Sequence, residues 1–257
     1  MLKILFIGDI VGDVGRREVS NFLCKNKSKY DFIIANGENA AGGKGISKSV
    51  FEELLLCGIN VITLGNHTFA RKEVYDIIGD DRLIRPLNYP DGNSGRGYGI
   101  YETIGKIKIA VTNLLGRVFT LDCLDCPFRS VEKILPDIYQ QTKIIIVDIH
   151  AEATSEKNAM KYFLDGKVTA VLGTHTHIPT TDAQITQNGT AYITDVGMCG
   201  PKNSVIGLQP EIVIKKFLLC SPQKFIVASG EGQFNAVELL VNPDTAKCVE
   251  IKQIIIK

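Results

Sequence analysis

The stretch Val171-Leu-Gly-Thr-His-Thr-His177 decides most of what we expect of this chain's fold and chemistry. It closes an apolar, β-branched run, Val168–Leu172, which is typical of a buried β-strand. A glycine follows, and then two histidines two residues apart, His175 and His177. In an extended segment residues i and i+2 point the same way, so we expect both imidazoles to face one point. Because imidazole is the commonest metal-ligating side chain, the stretch predicts half of a metal site.

Other polar side chains also come directly after apolar runs. The chain has four histidines, and the other two, His67 and His150, again follow such runs. Ligands of α/β proteins bind beyond the carboxyl ends of the strands, so these side chains should gather at one edge. The metal-compatible residues at such positions are Asp9, Glu38, Asn39, Asn66, His150, His175 and His177.

This donor set predicts two metal ions rather than one. It offers oxygen and nitrogen ligands without thiolate, and it has too many members for one tetrahedral zinc. It suits two ions such as Mn, Fe, Co or Zn. A two-metal cluster in an open crevice is typical of hydrolases, and phosphate esters are the commonest substrates of such clusters.

Composition describes a globular protein of one domain, residues 1–257, with 45% hydrophobic and 22% charged residues. The net charge of +1 gives no signal for a nucleic-acid or membrane partner. Asp9 interrupts the apolar N-terminus too early for a signal peptide, and no segment is long enough to cross a membrane, so we expect a cytoplasmic protein. The seven cysteines include Cys123 and Cys126 in a lone C-x-x-C pair, which favours free thiols over a zinc or redox site.

Alternating strand-like and helix-like segments predict an α/β fold. Ser47 and Ser155 could each cap a helix, and Asn88–Gly99 should form an exposed loop. After residue 205 only strand-like runs are expected, which would complete a second sheet. The predicted strands are Lys3–Ile7, Phe32–Ala35, Val61–Leu64, Ile107–Asn113, Ile144–Ile149, Val168–Leu172, Ala191–Thr194, Ile212–Leu219, Lys224–Ala228, Ala236–Leu240 and Ile251–Ile256. The predicted helices are Arg16–Lys27, Lys48–Cys57, Arg71–Ile78, Val131–Gln140 and Glu156–Leu164.

Several motifs resemble those of the calcineurin-like metallophosphoesterases. These are Gly8-Asp9, Gly37-Glu38-Asn39, Gly65-Asn66-His67, His150 and Gly173-Thr-His175-Thr-His177. More narrowly, the chain resembles the bacterial YmdB-like subfamily from residue 3 to beyond residue 200. The motifs that carry this resemblance are Phe6-Ile-Gly-Asp-Ile-Val-Gly12, Asn36-Gly-Glu-Asn-Ala-Ala-Gly-Gly-Lys-Gly45, Gly65-Asn-His-Thr68, Asp148-Ile-His-Ala-Glu-Ala-Thr-Ser-Glu-Lys157 and Thr194-Asp-Val-Gly-Met198.

The resemblance implies a four-layer αββα sandwich and a 2′,3′-cyclic-nucleotide phosphodiesterase with a dinuclear iron or manganese centre. It also implies a homo-oligomer. Three positions depart from the wider superfamily and agree with the YmdB-like branch: Val11 replaces a histidine, Glu38 replaces the bridging aspartate, and Thr68 replaces an acidic residue.

The resemblance also implies which residues bind which ion. It implies that Asp9, Asn39 and His177 hold one ion, that Asn66, His150 and His175 hold the other, and that Glu38 bridges them. The ions would activate a water molecule to attack the phosphorus. His67, which is not needed as a ligand, would donate a proton to the leaving ribose oxygen. Alternatively, His67 only hydrogen-bonds a phosphate oxygen.

Some neighbouring charged residues have weaker expectations. Arg117 could contact substrate phosphate, although a structural ion pair is favoured. Asp148 and Asp195 could orient ligating imidazoles, or could instead accept from backbone amides. Glu152 and Glu156 should lie on a solvated face.

The sequence thus predicts a dinuclear phosphodiesterase acting on a small phosphodiester such as a cyclic nucleotide. Two alternatives stay open. One is a metal-dependent phosphomonoesterase or nucleotidase that uses the same centre. The other is a regulatory nucleotide-binding protein with little turnover.

Overall fold

Two β-sheets pack face to face in the computed structural model, which describes residues 1–120 and 123–257. The strands are β1 Leu2–Ile7, β2 Asp9–Ile10, β3 Phe32–Asn36, β4 Val61–Thr63, β5 Leu83–Ile84, β6 Tyr98–Glu102, β7 Lys108–Leu115, β8 Ile145–His150, β9 Ala170–Thr174, β10 Gln184–Ile185, β11 Ala191–Ile193, β12 Met198–Pro201, β13 Gly232–Val241 and β14 Cys248–Ile256. The helices are α1 Gly12–Asn26, α2 Lys48–Leu56, α3 Pro127–Tyr139, α4 Thr154–Leu164 and α5 Pro210–Leu219, with 3₁₀ turns at Lys27–Lys29 and Lys72–Asp76.

The first sheet has the strand order β2-β12-β13-β1-β3-β4-β5, with β14 paired to β13. The second has the order β10-β11-β9-β8-β7-β6. Strands β1, β3 and β4 run parallel in the first sheet, as do β7, β8 and β9 in the second. Parallel strands bring their carboxyl ends to one edge, where the polar side chains of interest follow.

The apolar runs of the central strands are explained by burial on both faces. In β1, Leu2, Ile4 and Phe6 face the space between the sheets, whereas Leu5 and Ile7 pack towards α1 and α2. In β8, Ile146 faces the other sheet, and Ile145 and Val147 pack towards α3 and α4. The layers are therefore helices, sheet, sheet and helices, which confirms the predicted αββα sandwich.

Several local predictions are confirmed. Each strand predicted before residue 205 overlaps an observed strand, and the Asn88–Gly99 stretch is mostly an exposed loop that ends in β6. The Ser47 side chain accepts a hydrogen bond from the Val50 backbone N–H and caps α2. None of the seven cysteines forms a disulfide.

Other local predictions are wrong. Arg71–Ile78 forms only the short 3₁₀ turn, and α4 starts after Ala153 without a side-chain cap from Ser155. Ile212–Leu219 belongs to α5 rather than to a strand, and Pro210 stands in the first turn of this helix, where its fixed φ suits helical backbone. Lys224–Ala228 contributes only an isolated bridge from Val227 to Leu208.

The predicted C-terminal strands do form, as β13 and β14, but they complete the first sheet, where β13 pairs antiparallel with β1. Across residues 1–120 and 123–257, none of the helices combines the length and apolar character needed to span a bilayer.

Candidate metal centre

Polar side chains from both sheets meet beyond the carboxyl ends of their strands. Asp9 lies just after β1, and its Oδ2 accepts a 3.0 Å hydrogen bond from the backbone N–H of His175, just after β9. This contact joins the edge of one sheet to the edge of the other. The side chains predicted as ligands form one connected set, since each contacts at least one other member or its backbone: Asp9, Glu38, Asn39, Asn66, His150, His175 and His177.

The tightest group contains Glu38, His150 and His175, whose ligand atoms lie within 4.8 Å of one another. Nε2 of His150 is 2.9 Å from Oε1 of Glu38 and 3.0 Å from Nδ1 of His175. It is also 3.2 Å from Oδ1 of Asn66. One ring nitrogen cannot satisfy all three partners at once, because it carries either one proton or one lone pair. Several lone pairs therefore compete for a space that a cation would fill.

The orientation of His150 is fixed from the opposite side of its ring. Its Nδ1 lies 2.9 Å from the Thr174 hydroxyl, which donates its only proton to Oδ1 of Asp148 at 2.6 Å. The hydroxyl must then accept from Nδ1–H of His150. The proton is thereby placed on Nδ1, and the Nε2 lone pair is left for the centre.

The other two imidazoles follow the same pattern. Nδ1 of His177 lies 2.8 Å from the carbonyl oxygen of Ile206, which can only accept, so the neutral tautomer with its proton on Nδ1 turns the Nε2 lone pair towards the cluster. Nε2 of His175 lies 3.1 Å from Oε2 of Glu152, which leaves Nδ1 of His175 for the centre. Each of the three histidines thus holds its proton outside the cluster and turns a lone pair into it.

A second group contains Asp9, Asn39 and His177. Nε2 of His177 is 3.2 Å from the Asn39 side-chain amide and 3.8 Å from Oδ1 of Asp9. Within residues 1–120 and 123–257, this Oδ1 is fully buried and has no hydrogen-bond partner. Burial raises the pKa of Asp9 to about 6, against the lowering effect of the His177 and His150 charges. An unpartnered buried carboxylate oxygen is costly unless a cation neutralises it.

Without a cation at the centre, the Glu38 carboxylate favours a proton on Nε2 of His150, the nitrogen that would otherwise offer its lone pair to a metal. Burial would raise the pKa of the Glu38 carboxyl, but His150 outweighs burial and holds this pKa at about 2. Burial would likewise lower the pKa of His150, which the Glu38 charge raises to about 9. The carboxylates therefore impose a field that favours positive charge at this position.

These observations fit a pair of transition-metal ions. The buried orphan oxygen of Asp9 and the converging imidazole nitrogens are donors without adequate partners, which a metal would supply. Oδ1 of Asp9 lies 3.8 Å from both Nδ1 of His150 and Nε2 of His177, so it stands between the two groups of donors. Glu38 contacts His150 of the tighter group.

His67 lies beside the cluster without contributing to it. Its backbone N–H donates to Oε2 of Glu38 at 3.0 Å, and its side chain lines a cavity of about 580 Å³. The cavity also reaches Glu38, Asn39, His175 and His177. Burial lowers the pKa of the His67 imidazole, and the nearby Lys44 lowers it further. An anionic ligand opposite His67 would favour its protonated form.

The loop that carries His175 and His177 is strained and tightly held. Both residues have positive φ, 100° and 66°, which is uncommon for a residue with a Cβ. Between them, Thr176 donates through its N–H and its hydroxyl to Oδ2 of Asp195, at 3.0 and 2.7 Å. The same oxygen accepts from Nζ of Lys157 at 2.8 Å, and both side chains of this ion pair are fully buried. The Lys157–Asp195 ion pair therefore holds the loop in place through Thr176.

The sequence predicts roles for four charged residues near the centre, and the structure agrees with only some of these predictions. Asp148 orients His150 through Thr174, as one alternative held, whereas Asp195 holds backbone and Lys157 and touches no imidazole among its described contacts. Glu156 is buried, contrary to expectation, because its carboxylate accepts from the backbone of Arg117. Glu152 is exposed but pairs with His175, a role that its sequence position did not reveal.

Arg117 does not form the ion pair that was favoured for it. It is exposed, and across the described part of the chain its side chain forms no ion pair. It lines a different cavity from His67, together with Arg129 and Lys133.

Close approach of backbone explains why a glycine precedes Asn66. A Cβ on Gly65 would lie 2.2 Å from Oε2 of Glu38 and 2.3 Å from Cδ2 of His150, far inside van der Waals contact. Only glycine lets this turn pass behind the cluster.

Comparison with known proteins places the chain in a family. The model of the YmdB-like protein family matches residues 5–254. The chain belongs to the YmdB-like family. Among curated relatives it is similar to a Bacillus subtilis protein named 2′,3′-cyclic-nucleotide 2′-phosphodiesterase, with 44% identity over 99% of this chain and 97% of the relative.

Solved structures agree with this placement. A crystal structure of a protein from Thermus thermophilus has a TM-score of 0.94 and 41% identity, and covers 99% of this chain and 98% of that chain. A crystal structure described as a novel phosphatase from Mycoplasma pneumoniae has a TM-score of 0.93 and 42% identity, and covers 99% of this chain and 93% of that chain. This YmdB-like chain therefore shares its whole fold with these proteins.

Proposed function

We propose that this protein is a metal-dependent phosphodiesterase that hydrolyses small cyclic nucleotides of the 2′,3′ type. The observation that carries the proposal is the cluster of Glu38, His150 and His175, of which Glu38 and His175 line a cavity that His67 also lines. Family membership supports hydrolysis of phosphoric esters, and the name of the Bacillus subtilis relative supports the diester and the cyclic nucleotide. Residues 1–257 act in this proposal as one metallophosphoesterase domain.

The roles proposed for the side chains are those that the family resemblance implies, and their contacts support them. Asp9, Asn39 and His177 would hold one ion, Asn66, His150 and His175 would hold the other, and Glu38 would serve both. Such a pair, with iron or manganese favoured and zinc as a further candidate, would supply activated water and polarise the phosphoryl oxygens. Thr174, Ile206 and Glu152 keep the ligating nitrogens unprotonated and aimed inward.

His67 is the proposed proton donor. Its imidazole lines the cavity while every ligating histidine is occupied in the cluster, so it is the histidine left to meet the leaving group. The substrate phosphate raises the affinity of His67 for a proton, and the departing ribose oxygen removes that proton as the P–O bond breaks.

Two measurements on the purified protein test this proposal together. Elemental analysis is expected to find two equivalents of transition metal per chain. The metal-loaded protein is expected to hydrolyse 2′,3′-cAMP and to prefer bis-p-nitrophenyl phosphate over the monoester. Preference for the monoester would favour a phosphomonoesterase, and tight binding of nucleotide without product would favour a regulatory protein.

A further inference from the structure

The cavity beside the candidate metal centre has an apolar side that the proposed chemistry does not use. Its hydrocarbon lining, called here the apolar wall, consists of Val11, Ile206, Leu208, Phe225 and Val227. Phe225 and Ile206 are 37% and 43% exposed, and both face the cavity. Large exposed apolar side chains gathered in a cavity mark a ligand-binding surface.

Backbone hydrogen bonds and close packing hold the apolar wall together. Leu208 bridges to Val227, and the backbone N–H of Gln209 donates to the carbonyl of Ile226 at 3.0 Å, so the segments around Ile206 and Phe225 support each other. A Cβ on Gly43 would lie 2.6 Å from Cγ2 of Val227, which shows how closely the wall packs on the loop after Asn39.

The position of Phe225 suits stacking. Nζ of Lys216 lies 4.7 Å from the centroid of the Phe225 ring, within cation–π range, and this contact from α5 holds the ring in place. The ring also lines the cavity, so a flat ligand can approach it from that side.

The apolar wall is also tied directly to the metal-binding side of the cavity. The carbonyl oxygen of Ile206 accepts from Nδ1 of His177 at 2.8 Å, so one residue contributes its side chain to the wall and its backbone to a candidate ligand. A ligand with its phosphate at the metal centre would therefore place an adjoining flat group on the wall. The cavity volume of about 580 Å³ lies within the range of small-ligand sites.

We propose that the apolar wall binds the nucleobase of the substrate, with Phe225 as its stacking platform. This inference rests on the proposed function, which assigns the phosphodiester to the metal centre. It adds the nucleobase as the part of the substrate that sets affinity. Because the wall side chains are hydrocarbons, they recognise the face of the base and not its hydrogen-bonding edge. Adenine and guanine should therefore be accepted alike, and pyrimidines less well because they stack over a smaller area.

The test compares two substrates on matched variants. Phe225→Ala is expected to raise the KM for 2′,3′-cAMP about tenfold, the size of effect found when a stacking aromatic is removed. The ratio of kcat/KM for 2′,3′-cAMP to that for 1-O-methylribose 2′,3′-cyclic phosphate, which lacks a base, should fall by a similar factor. Phe225→Leu should lie between, because it keeps apolar contact without the ring. Phe119→Ala removes an aromatic side chain that is 84% exposed and lies outside the cavity, and it should leave the ratio unchanged.

The outcomes separate this inference from the proposed function. Equal losses on both esters, or an unchanged KM for 2′,3′-cAMP, would overturn the role of Phe225. If the wild type hydrolyses neither ester, the proposed function fails, and the wall is then judged by calorimetric titration with adenosine. Adenosine should bind the wild type and bind Phe225→Ala about tenfold more weakly, whereas equal affinity or no binding would refute the wall as a base site.

Discussion

At the scale of single residues, the centre depends on which nitrogen of each imidazole carries the proton. His150, His175 and His177 each give one N–H to an acceptor outside the cluster. The acceptors are a threonine hydroxyl, a carboxylate and a backbone carbonyl, so no common sequence motif identifies them. Each leaves a lone pair facing the centre, which is the arrangement metal-ligating histidines require.

The first prediction concerns His67. Replacing His67 with Gln keeps a polar side chain of similar reach but removes the proton donor. We expect kcat for 2′,3′-cAMP to fall roughly 10²- to 10⁴-fold, the usual contribution of general acid–base catalysis. Elemental analysis should still find the wild-type metal content, because His67 is not in the ligand set. Wild-type kcat in this variant would show that His67 only hydrogen-bonds the phosphate.

The second prediction concerns Glu152, which pairs with His175. Glu152→Ala removes the acceptor that fixes the His175 ring, and we expect metal affinity, measured by competition with a chelator, to fall about 10- to 100-fold. Glu152→Gln should restore most of this affinity, because an amide oxygen still accepts the hydrogen bond. Glu132→Ala, on the exposed face of α3, serves as the control. Wild-type affinity in Glu152→Ala would exclude the positioning role.

At the scale of elements, the loop after β9 shows how strand, helix and site are joined. Strand β9 ends at Thr174, and the positive φ values of His175 and His177 turn the chain away from the strand direction. Lys157 of α4 and Asp195 after β11 hold this turn from beneath. The two histidines thus owe their positions to a helix and a loop distant in sequence.

The third prediction concerns this buried ion pair. Lys157→Met leaves Asp195 as a buried charge without its cation, and we expect the free energy of unfolding to fall by about 3–5 kcal/mol in urea denaturation. The double variant Lys157→Met with Asp195→Asn should recover part of the loss, because the uncompensated charge is gone. Lys133→Met on exposed α3 should change stability by less than about 0.5 kcal/mol. Additive losses in the double variant would contradict the pairing.

At the scale of the whole molecule, α5 is the α-helix that contributes least to the core. Only Val213 of this helix is buried, whereas Phe217 and Leu218 are 75% and 77% exposed. Exposed apolar residues of this density are typical of a surface that contacts another protein. We propose that α5 supports the homo-oligomer that the family resemblance implies.

The fourth prediction tests that surface. Leu218→Glu places a charge in the apolar face of α5, and light scattering coupled to size-exclusion chromatography should then show a smaller assembly than the wild type. Leu56→Glu, at an 83% exposed position of α2, should leave the assembly unchanged. A monomeric wild type, or an unchanged assembly in Leu218→Glu, would contradict self-association through α5.

The sequence pattern by itself determined the α/β class and the residues that gather at the edge of the sheets, whereas the αββα layering came from the family resemblance. Apolar runs such as those in β1 and β8 must be buried on both faces, and a polar residue after such a run can only lie at the end of the sheet. Local composition failed for one segment. Ile212–Leu219 has the composition of a strand but lies in α5, whose first turn contains Pro210.

Only the tertiary structure decided how the centre is assembled. The sequence suggested that His175 and His177 converge as alternate residues of an extended strand, yet both lie beyond β9 with positive φ, and they face different partners, His150 and Asn39. Glu152, Ile206 and the Lys157–Asp195 pair were not recognised as supports, and neither was the apolar wall. The reason is physical. Burial along a strand produces a pattern of apolar residues that can be read from the sequence, whereas hydrogen bonds and packing between residues distant in sequence produce no such pattern.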